Sequence, residues 1–398
     1  MKIAFLTSGG IAPCLSASIA ALIQNYKNKS GDFEYIGYKH GYYGLLKGKK
    51  ISLNFKSDEE LESLKTFGGT ILGNSRVKLT NIDDCIKNGY IQKDQNPLEV
   101  AANQLISDNV KILHTIGGDD TNTTACDLAL FLKEKGHDLT VVGLPKTIDN
   151  DVYPISQTLG ADTAAEQGAI FFENIVNENT TSRRQLIIHE VMGRNCGWLT
   201  AATAYCYRER LKSRRFFNQN GLQRNSWDIH AVYIPEEEID ISAESQRLNH
   251  IMDSNDCVNV FLSEGAGIDN IIKDLESAGE NIKRDAFGHV RIDEINPGKW
   301  YANKIAEWTN AKKILVQKSG YFARSSAPNQ NDISLINNIS AKAVDYALEG
   351  RSGVAALSDD HNKEIKCIDF AKIKGGKPFD CKQNWYIEML DEIGQKKG

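Results

Sequence analysis

The sequence has no long apolar run, no surplus of basic charge and no closely spaced cysteine pair, and each absence removes a class of function. No stretch approaches the roughly 20 apolar residues that a bilayer crossing needs. The first apolar segment, Ile3–Leu6, runs almost at once into Gly9-Gly10, so neither a membrane span nor a secretory leader is expected. A formal net charge of −5 supplies no positive field, which argues against nucleic acid as a partner. Anionic substrates must then be held by local groups of Lys and Arg. The eight cysteines are scattered and form no C-x-x-C pair, as expected of reduced thiols in a cytosol rather than a disulfide framework. Internal repeats and low-complexity segments are also missing. A cytoplasmic protein is expected.

What is present is a globular composition and one dense stretch. The 398 residues are enough for two domains of ordinary size, and 41% apolar with 25% charged residues suits a soluble protein. The dense stretch runs from Thr115 to Asp151. Val110–Ile116 is apolar enough for a buried parallel strand. Gly117 and Gly118 then permit angles or close approaches that a side chain would forbid. Asp119 and Asp120 follow, opening a helix whose Ala125, Leu128, Ala129 and Leu132 share one face. A second strand, Leu139–Leu144, ends at Pro145 and is followed by Lys146, Thr147, Asp149 and Asp151. Ligands of open α/β sheets bind beyond the carboxyl ends of the strands, so both polar clusters are expected to face one crevice. Carboxylates, a lysine and a glycine turn in one place suit a metal and phosphate site. Each fragment alone has a plainer reading: a tight turn, an N-cap carboxylate, a solvated loop. The combination is what points to chemistry.

Elsewhere the pattern is strand and helix in alternation. Lys2–Thr7 reads as the first strand and Ser8–Pro13 as a turn. A helix with Leu15, Ile19, Leu22 and Tyr26 inward comes next, and the free amides at its start suit a phosphate. Glu34–Gly37, Leu186–Val191, Ala231–Pro235 and Ile314–Val316 read as further strands, and Thr163–Val176 as a helix. His189, alone in an apolar strand, reads as a hydrogen-bonded core residue. Lys47, Lys49 and Lys50 read as a solvated loop. Arg194, just past a strand end, suits bidentate phosphate recognition. The apolar residues after Asp360 point to a tail packed on the body.

Five segments in order resemble the phosphofructokinase family: TSGGIAPC (7–14), GGDDT (117–121), PKTIDND (145–151), MGRNCGW (192–198) and GYFARSSAPNQND (320–332). Two others, GGTILGNSR (68–76) and DAFGHV (285–290), are also similar to family segments. Asp120 and Lys146 resemble the pyrophosphate-dependent branch, since ATP-dependent members typically carry glycine at both positions. Ile11 and Cys14 depart from the Asp and Gly of the ATP-using relatives, which leaves Gly10 for phosphate contact. Arg76 reads equally as a phosphate contact or a surface arginine.

The resemblance implies an α/β fold with two doubly wound, Rossmann-like domains and an active site in the cleft between them. Residues 1–160 with about 325–355 would bind the phosphoryl donor and Mg²⁺, residues 161–324 the sugar phosphate, and 356–398 would pack on the body. The implied reaction is reversible phosphoryl transfer from pyrophosphate to the 1-hydroxyl of fructose 6-phosphate. Asp149 would take the hydroxyl proton, typically worth ~10²–10⁴ in rate. Asp119 would hold Mg²⁺, Lys146 would stabilise the leaving phosphate, and Thr147 and Asp151 would hold the acceptor or orient the loop. Asp120 would exclude ATP. Met192, Gly193 and Arg194 would form the sugar-phosphate pocket, Glu236 would accept from the sugar hydroxyls, and Tyr321 and Arg324 would bracket the 6-phosphate. A homo-oligomer, dimer or tetramer, is implied as well. In many relatives an arginine reaching the neighbouring subunit stands where this chain has Gln185, directly after Arg183 and Arg184.

The rival readings are an ATP-dependent phosphofructokinase and a non-catalytic sugar-phosphate-binding subunit. Retention of both Asp119 and Asp149 argues against the second. Lipid and NAD kinases share a GGD-type turn but are expected to lack the TIDND and MGR segments.

Overall fold

A computed structural model describes residues 1–279 and 295–395, so the DAFGHV fragment lies outside the described residues. The chain divides into two compact units, Met1–Thr163 with Arg324–Lys377, and Ala164–Ala323 with Pro378–Gly398. The stretch 356–398, read from the sequence as one C-terminal segment, is therefore split between them.

The first unit opens with β1 (Lys2–Thr7), β2 (Glu34–Tyr38), β3 (Lys50–Ser52), β4 (Val110–Gly117), β5 (Thr140–Pro145) and the short β6 (Val152–Tyr153). The second unit contains β7 (Gln185–Val191), β8 (Ala231–Tyr233), β9 (Cys257–Ser263) and β10 (Lys313–Lys318). The chain then returns to the first unit with β11 (Gly353–Ser358), β12 (Glu364–Ile368) and β13 (Lys374–Gly375).

Seven strands of the first unit form one sheet in the order β12-β11-β5-β4-β1-β2-β3. Its central pairings are parallel, and only the edge strands β3 and β12 run antiparallel. The apolar runs of β1, β4 and β5 are buried on both faces, the pattern of a parallel sheet covered by helices. The helix Leu15–Lys27 follows β1, and the helix Asp119–Glu134 follows β4. Chain order runs outward from β1 to β2 on one side and from β4 to β5 on the other. The sheet thus changes direction between β1 and β4, where an open α/β sheet leaves a crevice at its carboxyl edge.

The second unit holds a four-stranded, wholly parallel sheet, β10-β7-β9-β8. Leu186, Ile188, Val258, Val260 and Leu262 pack there with Leu248, Met252 and Ile305. His189 is fully buried in β7, among the rings of Phe171, Phe172 and Phe261. It stacks on Phe172 with ring centroids 5.4 Å apart and hydrogen-bonds Ser319 Oγ at 2.7 Å.

One local expectation needs correction in part. Lys50 is not in a loop: it lies in β3 and pairs with the buried carboxylate of Asp108. Lys47 and Lys49 are exposed in the turn before it, bonded to the Gly89 carbonyl and the Tyr43 hydroxyl.

Candidate active site

The carboxyl ends of β1, β4 and β5, adjacent in the first unit's sheet, surround a cavity of about 310 Å³. Gly10, Asp119, Asp120, Lys146, Thr147 and Asp151 all line it. Gly117 makes the turn after β4 tight, because a Cβ there would sit 2.4 Å from the Thr121 side chain. The chain enters the helix at once, and both aspartates fall in its first turn, where the helix dipole favours negative charge.

Lys146 crosses the cavity floor. Its amide donates to the Gly117 carbonyl (2.9 Å), and its Nζ donates to the Gly10 carbonyl (2.7 Å). Burial pulls the ammonium below the usual lysine range, while the nearby carboxylates of Asp149 and Asp151 act against that shift. The loop after Lys146 is pinned from within. Thr147 Oγ1 donates to Asp151 Oδ1 and receives the Asp149 amide, both at 3.1 Å. Buried Asn150, at φ +56°, accepts the Thr158 amide at 2.9 Å, and Thr158 Oγ1 donates to the Thr147 carbonyl at 2.8 Å. Asp149 is half-buried on this loop and is not among the residues lining the cavity.

Sequence reading missed one residue here and misplaced another feature. Lys78 lines the cavity and forms a 2.7 Å ion pair with Asp120, whose side chain is 63% exposed. Its only signal was its place two residues after Arg76, which also lines the cavity. The start of the helix Leu15–Lys27, expected to present free amides to a phosphate, does not line the cavity. Its Ser16 amide donates instead to the Gly69 carbonyl at 3.2 Å. The turn Ser8-Gly9-Gly10 reaches the cavity in its place.

Among the described residues no group of three or more His, Cys, Asp or Glu is arranged to hold a metal. Asp119 and Asp151 do share the cavity. Burial raises the Asp151 carboxyl above its usual range, and the Asp119 charge adds to the rise. Two like charges facing one small space suit a divalent cation. Mg²⁺ in particular takes one or two protein carboxylates and completes its octahedron with phosphate oxygens and water.

In the second unit the expected sugar-phosphate residues also stand at carboxyl ends of strands. Met192, Gly193 and Arg194 follow β7, Glu236 follows β8, and Tyr321 follows β10. The first and last of these loops meet, since a Cβ at Gly320 would lie 2.6 Å from Met192 Cε. Gly193 adopts φ +130°, and its carbonyl accepts from Ser263 Oγ. Gly265 lets the loop after β9 run against the Arg194 backbone, where a Cβ would meet the Arg194 carbonyl at 1.8 Å. The Arg194 side chain is exposed.

Glu236 has an unforeseen structural duty. Its carboxylate receives the Gly197 amide at 2.9 and 3.0 Å and the Phe379 amide at 2.8 Å, so it caps the helix Trp198–Lys212. Two amide donors on about four acceptor sites leave about half of its capacity for sugar hydroxyls. Tyr321, 75% exposed, and half-buried Arg324 share the one-turn helix Gly320–Arg324, which starts in the second unit and ends in the first. Gln185 is buried in β7. Arg184 is fastened to Asp253 at 2.7 Å and to the Thr309 and Asn310 carbonyls, whereas the Arg183 side chain is 88% exposed.

Comparison with known proteins identifies the family and the fold. The chain is 53% identical over 397 residues to pyrophosphate–fructose 6-phosphate 1-phosphotransferase of Methylotuvimicrobium alcaliphilum, covering 100% of this chain and 97% of that protein. It is 51% identical over 397 residues to the enzyme of the same name from Methylomonas methanica, with the same coverage. The crystal structure of a pyrophosphate-dependent phosphofructokinase from Marinobacter aquaeolei superposes with a TM-score of 0.72 at 19% identity, covering 100% of this chain and 93% of that one. That likeness establishes the fold, two Rossmann-like domains. Residues 2–347 match the phosphofructokinase family as a whole, and with full-length relatives at half identity the chain belongs to the phosphofructokinase family.

Proposed function

We propose that this protein transfers a phosphoryl group reversibly from pyrophosphate to the 1-hydroxyl of fructose 6-phosphate, giving fructose 1,6-bisphosphate and phosphate. The observation that carries the donor assignment is the joint presence of Asp120 and Lys146 on one cavity at the sheet's switch point. The full-length relatives named for this reaction support the same reading.

Each residue has a task that follows from its chemistry. Asp149 accepts the proton of the attacking hydroxyl, because a primary alcohol is a weak nucleophile at neutral pH. Lys146, fixed by the Gly10 and Gly117 carbonyls, presents a positive charge to the departing phosphate. Arg194 and Arg324 hold the 6-phosphate remote from the reacting carbon, with Met192, Gly193 and Tyr321 shaping the sugar site. Thr147 and Asp151 keep the loop of Asp149 in place. Asp119, with Asp151 beside it, would hold Mg²⁺, which when bound offsets charge on the phosphoryl oxygens.

Among the described residues no helix is long and apolar enough to cross a membrane, and a cytoplasmic homo-oligomer fits the reading. Arg183 pairs with Asp256 at 3.0 Å but is 88% exposed, whereas Arg184 is more deeply fastened inside its own unit, so Arg183 is the better exposed arginine toward a neighbouring subunit. The deciding experiment offers purified protein fructose 6-phosphate and Mg²⁺ with pyrophosphate or ATP in parallel. Turnover with pyrophosphate alone is expected. Turnover with ATP would overturn the donor assignment and leave the sugar-phosphate half standing.

A further inference from the structure

Beyond the family match, which ends at residue 347, a narrow ribbon of the chain passes behind two residues that line the cavity, Asp119 and Val152. β13 pairs antiparallel with β6, placing Lys374 opposite Tyr153 and Gly375 opposite Val152. Two residues on, the Lys377 amide donates to the Asp151 carbonyl at 2.9 Å. The Lys377 ammonium fastens the ribbon's end to the Ile155 carbonyl (2.8 Å) and to Asp359 (2.5 Å). The ribbon therefore runs along the segment that follows the Lys146–Asp151 loop.

Gly375 is where the ribbon meets the site. A Cβ built on it would lie 2.1 Å from Asp119 Oδ2 and 2.8 Å from Asp119 Cγ. The three heavy atoms nearest that position all belong to the Asp119 side chain, the third at 3.5 Å, so any others lie at ordinary contact distance, and Gly375 is not among the glycines with positive φ. An alanine would thus be acceptable to the backbone and would collide with one group alone, the end of a side chain that can rotate away. The cheapest relief is for Asp119 to leave its present orientation. Gly376, by contrast, does take φ +76°, so its glycine serves the bend of the ribbon.

We propose that Gly375 is a positioning residue for Asp119: the missing side chain on the C-terminal ribbon leaves room for the orientation in which Asp119 lines the donor cavity. The inference rests on the reading of Asp119 as the Mg²⁺-binding carboxylate. It assigns to a segment outside the family match a part in metal-dependent donor binding. Groups that orient a metal ligand without touching the metal typically change metal affinity by about 10–100-fold.

The test compares wild type, Gly375→Ala, Asp119→Ala and the double variant. Mn²⁺ binding is followed by electron paramagnetic resonance with and without pyrophosphate, alongside thermal unfolding and steady-state kinetics. Gly375→Ala should weaken Mn²⁺–pyrophosphate binding by about 10-fold or more, with KM for fructose 6-phosphate within about twofold. The midpoint of unfolding should move by no more than about 2 °C, since a side-chain rotation absorbs the collision. In the Asp119→Ala background the same glycine change should do nothing further, because its target is gone. Unchanged Mn²⁺ binding in Gly375→Ala would overturn the proposal, as would an equal loss in both backgrounds. A fall of many degrees, or failure to fold, would also overturn it, since the backbone would then have taken the strain. A wild type inactive with pyrophosphate, or an Asp119→Ala variant that binds Mn²⁺ normally, would instead refute the reading beneath it.

Discussion

Asp120 and Lys146 line the same cavity in opposite physical states, and the difference decides what each can do to a donor. Lys146 is buried and held by carbonyls, so its charge is fixed in direction and weakly screened. Asp120 is largely exposed and half-neutralised by Lys78. A bare carboxylate about 4 Å from a phosphate oxygen would repel it by about 4 kcal/mol at an effective dielectric of ~20. Pairing with Lys78 removes part of that, and discrimination against ATP of about 10²-fold in kcat/KM is expected. Asp120→Gly should lower pyrophosphate activity and admit ATP, because it opens space and frees Lys78 for an additional phosphate. Lys146→Gly should lower pyrophosphate activity without admitting ATP. Parallel kcat/KM measurements with the two donors check the asymmetry, and equal behaviour of the two variants would contradict it. Asp149→Asn, which keeps the shape but removes the proton acceptor, should cut kcat by at least ~10²-fold with little change in sugar-phosphate KM. A variant with more than half the wild-type kcat would show that another group is the base.

At the scale of elements, the carboxyl ends of β7 and β8 are joined through Glu236, which ties the start of the helix Trp198–Lys212 to the C-terminal stretch at Phe379. Removing that carboxylate leaves amide donors without their acceptor. Glu236→Ala is expected to destabilise the protein by about 1–3 kcal/mol, read as a lower urea midpoint. Glu236→Gln, which keeps one carbonyl acceptor, should recover much of that loss. If neither variant shifts the midpoint while both raise the KM for fructose 6-phosphate, the residue serves the sugar and not the helix.

For the whole molecule, the acid limb of stability follows from buried histidines in both units. Burial holds the pKa of His114 to about 4, of His189 to about 3 and of His230 to about 4. Their unfolded values are near 6.5, so the folded state binds fewer protons once the pH falls below that value. The sign is therefore a loss of stability with acidification, starting near pH 6.5 and continuing down to the folded pKa values. Each histidine contributes a slope of up to about 1.4 kcal/mol per pH unit. Urea unfolding at pH 7.5 and 5.0 should show a clear fall at the lower pH. Replacing His189 by Phe, between its stacked phenyl rings, should flatten part of the slope despite losing the Ser319 hydrogen bond. A profile flat between the two pH values would contradict the account.

Features set by neighbours along the chain were legible from residue types alone. The strand before Gly117, the glycine turn and the carboxylates opening a helix are short-range consequences of periodicity and of glycine's freedom. β1 was read to its ends, and β4, β5 and β7 to within a residue of theirs, because a buried parallel strand needs an unbroken apolar run. That both polar clusters reach one cavity followed from the rule for strand ends. Pairings between distant segments were not legible. Nothing local marks Lys78 as the partner of Asp120, Glu236 as the cap of a helix that begins 38 residues earlier at Trp198, or Gly375 as the neighbour of Asp119. A salt bridge, a cap or a close backbone approach between remote residues carries no periodic signal. It exists only once the sheet order has brought the segments together, and that order is decided by packing of the whole core.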